Sequence, residues 1–136
     1  MKILIAEDDR LSRTFLKKFM ENYGECDFAV DGMEALDCYM DAIKQKAPYD
    51  LLCLDIMMPR VDGLKVLKAI RALEKQHDLG HACIIMMTAL ADVEYVDQAL
   101  ELGCDAYAAK PIDTDKVETV LKNLGLIGEK EVPAKE

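Results

Sequence analysis

No apolar run in this chain approaches the roughly 20 residues needed to cross a bilayer. No signal peptide is expected ahead of the first strand, because Lys2 leads straight into it. The expectation is a cytoplasmic protein with no membrane partner. Basic residues are scarce: 17 Lys and Arg face 26 Asp and Glu, a formal net charge of −9. That balance argues against general binding to nucleic acid or to an anionic membrane surface. The five cysteines are odd in number and form no C-x-x-C pair. They read as reduced, mostly buried thiols rather than as disulfides, redox sensors or metal ligands. Neither an internal repeat nor a second domain is visible. What is there is 136 residues, 51% of them apolar, enough for one domain with a real core.

Apolar runs alternate with helical patterns five times. The spacing predicts strands at about 2–7, 25–30, 50–55, 83–88 and 105–109. Between them the period is helical, carried by Leu11, Phe15 and Phe19; by Leu36, Tyr39, Met40 and Ile43; by Val66, Ile70 and Leu73; by Val93, Val96 and Leu100; and by Val117, Val120, Leu121 and Leu124. Gly24 and Gly103 fall just past the first and fourth helices, where a left-handed cap is favoured. Pro48 stops the second, and Asp113 or Thr114 can cap the fifth. This is an α/β chain of (βα)5 type, a doubly wound, flavodoxin-like parallel sheet. The first, third and fourth strands are continuous apolar runs, as strands covered on both faces require. The second carries Asp27 and the fifth is small and alanine-rich, so these two read as edges. The strand order is then 2-1-3-4-5. Residues 1–124 read as the domain and the polar stretch 125–136 as a tail or linker stub.

In an open parallel sheet, ligands bind outside the carboxyl ends of the strands. Glu7, Asp8 and Asp9 follow the first strand, Asp55 ends the third, Thr88 ends the fourth and Lys110 follows the fifth. Asp8 and Asp55 offer hard oxygens to a divalent cation, with Glu7, through a water, and Asp9 as further candidates. Such a donor set suits Mg2+, with Mn2+ as a substitute. Asp55 is the candidate nucleophile toward phosphorus, giving an aspartyl phosphate. The Lys110 ammonium would offset charge on a transferring phosphoryl group, and the Thr88 hydroxyl could donate to one of its oxygens.

Glu7-Asp8-Asp9, then Asp55-Ile56-Met57-Met58-Pro59 with Asp62-Gly63, then Thr88-Ala89, then Lys110-Pro111, resemble the CheY-like receiver domains of two-component response regulators. The resemblance spans residues 2 to about 124. It implies Asp55 as phosphoacceptor, Asp8 as direct metal ligand, Glu7 as a ligand through water and the Met57 backbone carbonyl as another. It implies Thr88 and Lys110 as the phosphate-sensing pair, a cis bond before Pro111, and Tyr107 as an aromatic switch that turns inward when Thr88 engages phosphate. Met57 and Leu90 fall where the family commonly modulates self-dephosphorylation. Both are apolar here, which implies a long-lived phosphate. The implied donor is a histidine kinase or a histidine phosphotransfer protein. The implied output is a changed helix 4–strand 5–helix 5 face toward a downstream protein, reversed by a phosphatase or by back-transfer. The chain would be a signalling switch, not a turnover enzyme.

Plainer readings compete residue by residue. Asp8 and Asp9 could cap the first helix, Asp55 could end a turn, Lys110 could be a surface charge, and Tyr107 could simply pack. His77 and His81 invite a metal reading but read better as a polar loop. Met57, Met58, Met86 and Met87 read as loop and core packing rather than a soft-metal site. Among functions, a flavodoxin-like carrier is disfavoured, since Glu7-Asp8-Asp9 would repel a cofactor phosphate. A phosphohydrolase with an aspartyl nucleophile would want a nearby acid and a substrate cap, and neither is evident.

Overall fold

The computed structural model describes residues 1–88 and 93–128. Five strands, β1 (Lys2–Ala6), β2 (Glu25–Ala29), β3 (Leu51–Asp55), β4 (Cys83–Thr88) and β5 (Ala106–Ala109), alternate with helices α1 (Arg10–Met20), α2 (Gly32–Lys44), α3 (Gly63–Gln76), α4 (Val93–Glu101) and α5 (Thr114–Asn123). All pairs are parallel and the order is β2-β1-β3-β4-β5, as the charge on β2 and the small residues of β5 led us to expect. No helix among the described residues is long and apolar enough to cross a membrane.

Side chains alternate across the sheet and build two cores. Leu4, Leu52, Leu54, Ile84 and Met86 pack under α2, α3 and α4, while Ile3, Ile5, Leu51, Cys53 and Ile85 pack under α1 and α5. Full burial of each such aliphatic side chain stabilises the fold by about 1.5–3 kcal/mol. Four helices start on an aspartate whose carboxylate accepts from a backbone N–H of the first turn: Asp9, Asp31, Asp62 and Asp113. Each cap is worth about 1 kcal/mol. Part of the acidic excess is therefore structural.

Several sequence expectations shift in detail. Helix α1 turns Leu16 and Met20 to the core and leaves Leu11 80% and Phe15 46% exposed, with Phe19 partly buried. Two apolar stripes run along α1, and the sheet takes the one about 100° round from Leu11 and Phe15. Met40 on α2 and Leu100 on α4 are likewise exposed. Gly103 has the expected positive φ of 99°, but Gly24 is not left-handed. Gly24 is there for space, since a Cβ would lie 2.1 Å from the Met1 carbonyl oxygen. Packing also continues past residue 124. Gly125, at φ 74°, turns the chain so that the Leu126 N–H donates to the Leu121 carbonyl at 3.0 Å, and Ile127 is only 6% exposed in the α1/α5 core.

At the end of the sheet away from the acidic loop, Arg71 of α3 forms a hub. Its guanidinium donates to the Gly103 carbonyl at 2.9 Å, the Ala82 carbonyl at 2.9 Å, Glu74 at 2.6 Å and Asp105 at 2.8 Å. Asp105 also accepts from the Ile84 N–H at 2.8 Å and lies 2.7 Å from His81 Nε2. His81 thus joins this hydrogen-bonded network, and among the described residues it forms no metal cluster with His77.

Candidate functional site

The register of the strands explains why residues far apart in sequence meet. Ala6 pairs with Leu54, Asp55 with Met87 and Thr88 with Ala109, so the residues at or just after these positions line one edge. The loops beyond the strands are tied to one another. The Glu7 N–H donates to the Ala29 carbonyl at 3.0 Å and the Lys110 N–H to the Thr88 carbonyl at 2.7 Å. The Lys110–Pro111 bond is cis. Behind Asp55, Gly63 closes the β3–α3 loop, its N–H donating to the Ile56 carbonyl at 2.9 Å. A Cβ on Gly63 would lie 2.2 Å from the Asp55 carbonyl oxygen, so only glycine lets α3 start this close to the strand.

Glu7, Asp8 and Asp55 converge, each offering an oxygen within 4.8 Å of the other two. Glu7 and Asp55 are buried and Asp8 is exposed. The Lys110 ammonium bridges the two buried acids, ion-paired to Glu7 and 2.9 Å from Asp55 Oδ2. The other Asp55 oxygen accepts from the Met57 N–H at 3.2 Å. Burial, reinforced by the hydrogen bond and charge of Asp55, pushes the Glu7 carboxyl above its ordinary pKa against the pull of Lys110. Burial works against the Lys110 ammonium, yet its hydrogen bonds to Glu7 and Asp55 outweigh that and raise its pKa. Among the described residues this is the one cluster of His, Cys, Asp or Glu arranged to hold a metal. Three hard carboxylates, one open to water, fit a hydrated hard cation such as Mg2+.

Asp9 stands apart from this group. Its carboxylate accepts from the Ser12 N–H at 2.8 Å, which holds its pKa below the ordinary value and commits it to capping α1. Thr88 is buried beside the cluster's strands, and Met57 is 60% exposed at the mouth. Leu90 lies outside the described residues. Tyr107 is 47% exposed and lines a groove with Asp113, Lys116, Val117 and Val120. One contributor was missed from sequence: Arg13 of α1, whose Nη1 donates to the Glu7 carbonyl at 2.9 Å. Its only sequence signal is a basic residue one turn into the helix after the acidic run.

The chain matches the family described as response regulator receiver domain over residues 3–122. It is 31% identical over 122 residues to sporulation initiation phosphotransferase F of Bacillus subtilis, covering 89% of this chain and 90% of that one. It is 33% identical over 124 residues to the osmosensing histidine protein kinase SLN1 of Saccharomyces cerevisiae, covering 89% of this chain but only 10% of that kinase. A chain of the CheX–CheY–BeF3–Mg2+ complex from Borrelia burgdorferi superposes with a TM-score of 0.81 at 28% identity, covering 92% of this chain and 89% of that one. Family match, strand order and an acidic edge with its single lysine agree: the chain belongs to the response regulator receiver domain family, a phosphoacceptor signalling module.

Proposed function

We propose that Asp55 is the residue phosphorylated, with Asp8, Glu7 through a water, and the Met57 carbonyl holding Mg2+ beside it. The observation that carries this reading is the bridging of buried Glu7 and Asp55 by one half-buried ammonium next to an exposed third acid. Asp55 attacks phosphorus, a P–O bond forms to its carboxylate, and the bond to the donor nitrogen breaks. Mg2+ held by these residues would offset negative charge on the phosphoryl group. Lys110 stays paired to Asp55 and presents its ammonium to the incoming oxygens. Thr88, at the end of β4, donates its hydroxyl to one of them. Tyr107 then leaves its exposed position and turns inward, altering the α4–β5–α5 face. The gap between the two arrangements need be only a few kcal/mol.

The donor class we infer is a histidine kinase or a histidine phosphotransfer protein, in keeping with the kinases and the phosphotransferase that the chain resembles. The target is a protein that reads the switched face, and a phosphatase or back-transfer resets it. All five thiols are unpaired, which fits a reducing compartment and a cytoplasmic site of action.

Incubation with Mg2+ and acetyl phosphate should add one phosphoryl group, read by intact mass. Asp55→Asn should abolish it, and EDTA should prevent it. Full labelling of Asp55→Asn, with the label mapped elsewhere, would overturn the assignment.

A further inference from the structure

Among the described residues no hydrogen bond or ion pair holds the Asp8 carboxylate, so its aim is set by its own backbone. That backbone is restrained by Arg13. The guanidinium Nη1 donates to the Glu7 carbonyl at 2.9 Å and reaches the Asp8 carbonyl at 3.4 Å, the second contact being the weaker. On the opposite side the Glu7 N–H is held by the Ala29 carbonyl at 3.0 Å, and two residues on, the Asp9 N–H donates to Glu7 Oε2 at 3.2 Å. The peptide units of Glu7 and Asp8 therefore lie between a strand and a guanidinium.

We propose that Arg13 is a positioning residue for cation binding: it fixes the Glu7 and Asp8 peptide units so that the Asp8 carboxylate faces Asp55. The proposal rests on the metal-assisted phosphoacceptor reading above. It also makes a prediction whose sign is opposite to the simplest electrostatic one. Arg13 is a cation beside a cation site. If charge alone mattered, removing it would tighten Mg2+ binding. If its hydrogen bonds orient the ligands, removing it loosens binding, as loss of groups that orient metal ligands generally does. Lysine would keep the charge but, as a shorter and more strongly hydrated donor, would hold the two carbonyls less well.

Calorimetric titration of the phosphate-free chain with Mg2+ alone decides between these. Arg13→Met is expected to weaken Mg2+ binding by about tenfold, and Arg13→Lys by a smaller factor. Arg10→Met, which removes a charge from the exposed start of the same helix, is expected to bind at least as tightly as wild type. Phosphorylation by acetyl phosphate gives a second readout. The Mg2+ concentration for half-maximal rate should rise in Arg13→Met, while the rate at saturating Mg2+ stays near that of wild type. Asp8→Ala should abolish Mg2+ binding. If it does, and Arg13→Met binds as tightly as wild type or tighter, the role of Arg13 is overturned and the cluster stands. Wild-type binding in Asp8→Ala would overturn the cluster itself. Should Arg13→Met fail to fold, wild-type affinity in Arg13→Lys overturns the proposal, and weakened affinity supports it.

Discussion

Without a cation the acidic edge works against the fold, and Asp8→Ala should release that stress. The three carboxylates have oxygens within 4.8 Å of one another, a separation at which two unit charges repel by about 1 kcal/mol in water and about 3.5 kcal/mol at an effective dielectric of 20. Asp8 is exposed, so the lower figure applies to it. It faces two acids, Glu7 and Asp55, but Lys110 already offsets part of their charge. The net gain on removing Asp8 should be about 1 kcal/mol, or about 4 °C in melting temperature for a domain of this size. Asp55→Asn should gain less, because it also gives up the ion pair with Lys110. The assay is thermal melting by circular dichroism in EDTA at low salt. Raising NaCl to about 1 M shortens the Debye length to about 3 Å and should shrink the gain. Adding Mg2+ should raise the melting temperature of the wild type and leave Asp8→Ala where it was, since only a folded state that binds the ion is stabilised by it. If Asp8→Ala melts at or below wild type in the metal-free, low-salt buffer, the repulsion argument fails.

Other outcomes follow from other parts of the molecule. Met57→Asn with Leu90→Glu should speed loss of phosphate about tenfold, equivalent to about 1.4 kcal/mol of barrier, by placing groups that can orient the attacking water; equal or slower decay in a time course would refute the idea that these two apolar residues prolong the phosphate's life. Arg71→Met strands Glu74 and Asp105 without their shared cation, so urea unfolding should show a loss of about 3 kcal/mol or more; a loss below about 1 kcal/mol would mean the hub is largely solvent-screened. The Cys53 thiol, pushed up to about 12 by burial, stays neutral in the fold while an unfolded chain ionises it near its ordinary value of 9.0. Unfolded chains then bind fewer protons, so stability should fall as pH rises above 9 by up to about 1.4 kcal/mol per unit for this thiol. Cys53→Ala should flatten that slope, and an unchanged slope in paired melts at pH 9 and 11 would discount the thiol.

The edge was readable because each of its residues sits directly at the end of an apolar run. A parallel register then brings run ends together whatever their distance in sequence. Asp55, Thr88 and Lys110 needed nothing more than this. Asp9 shows where the pattern stops, since a carboxylate after a strand and before a helix can either bind a cation or cap the helix. Here the Ser12 N–H takes it. Helix faces were less legible. Both Phe15 and Leu16 are apolar neighbours on α1, and only the position of the sheet decides which one is buried. The Arg71 hub joins residues up to 34 apart through a side chain that composition marks merely as basic. Gly24 and Arg13 serve carbonyl groups, which every residue carries and no sequence pattern announces.

The turn beyond α5 makes residue 124 and residue 128 unequal places to cut. Ile127 plugs the floor of the layer formed by α1 and α5, where it meets a cluster that includes Ile3, Leu51 and Leu121. A fragment ending at 124 would leave a hole of side-chain size there. Losing a buried aliphatic side chain of that kind generally costs about 2–5 kcal/mol. Fusions that borrow this domain as an input should therefore be joined after Gly128, so that the plug travels with the module.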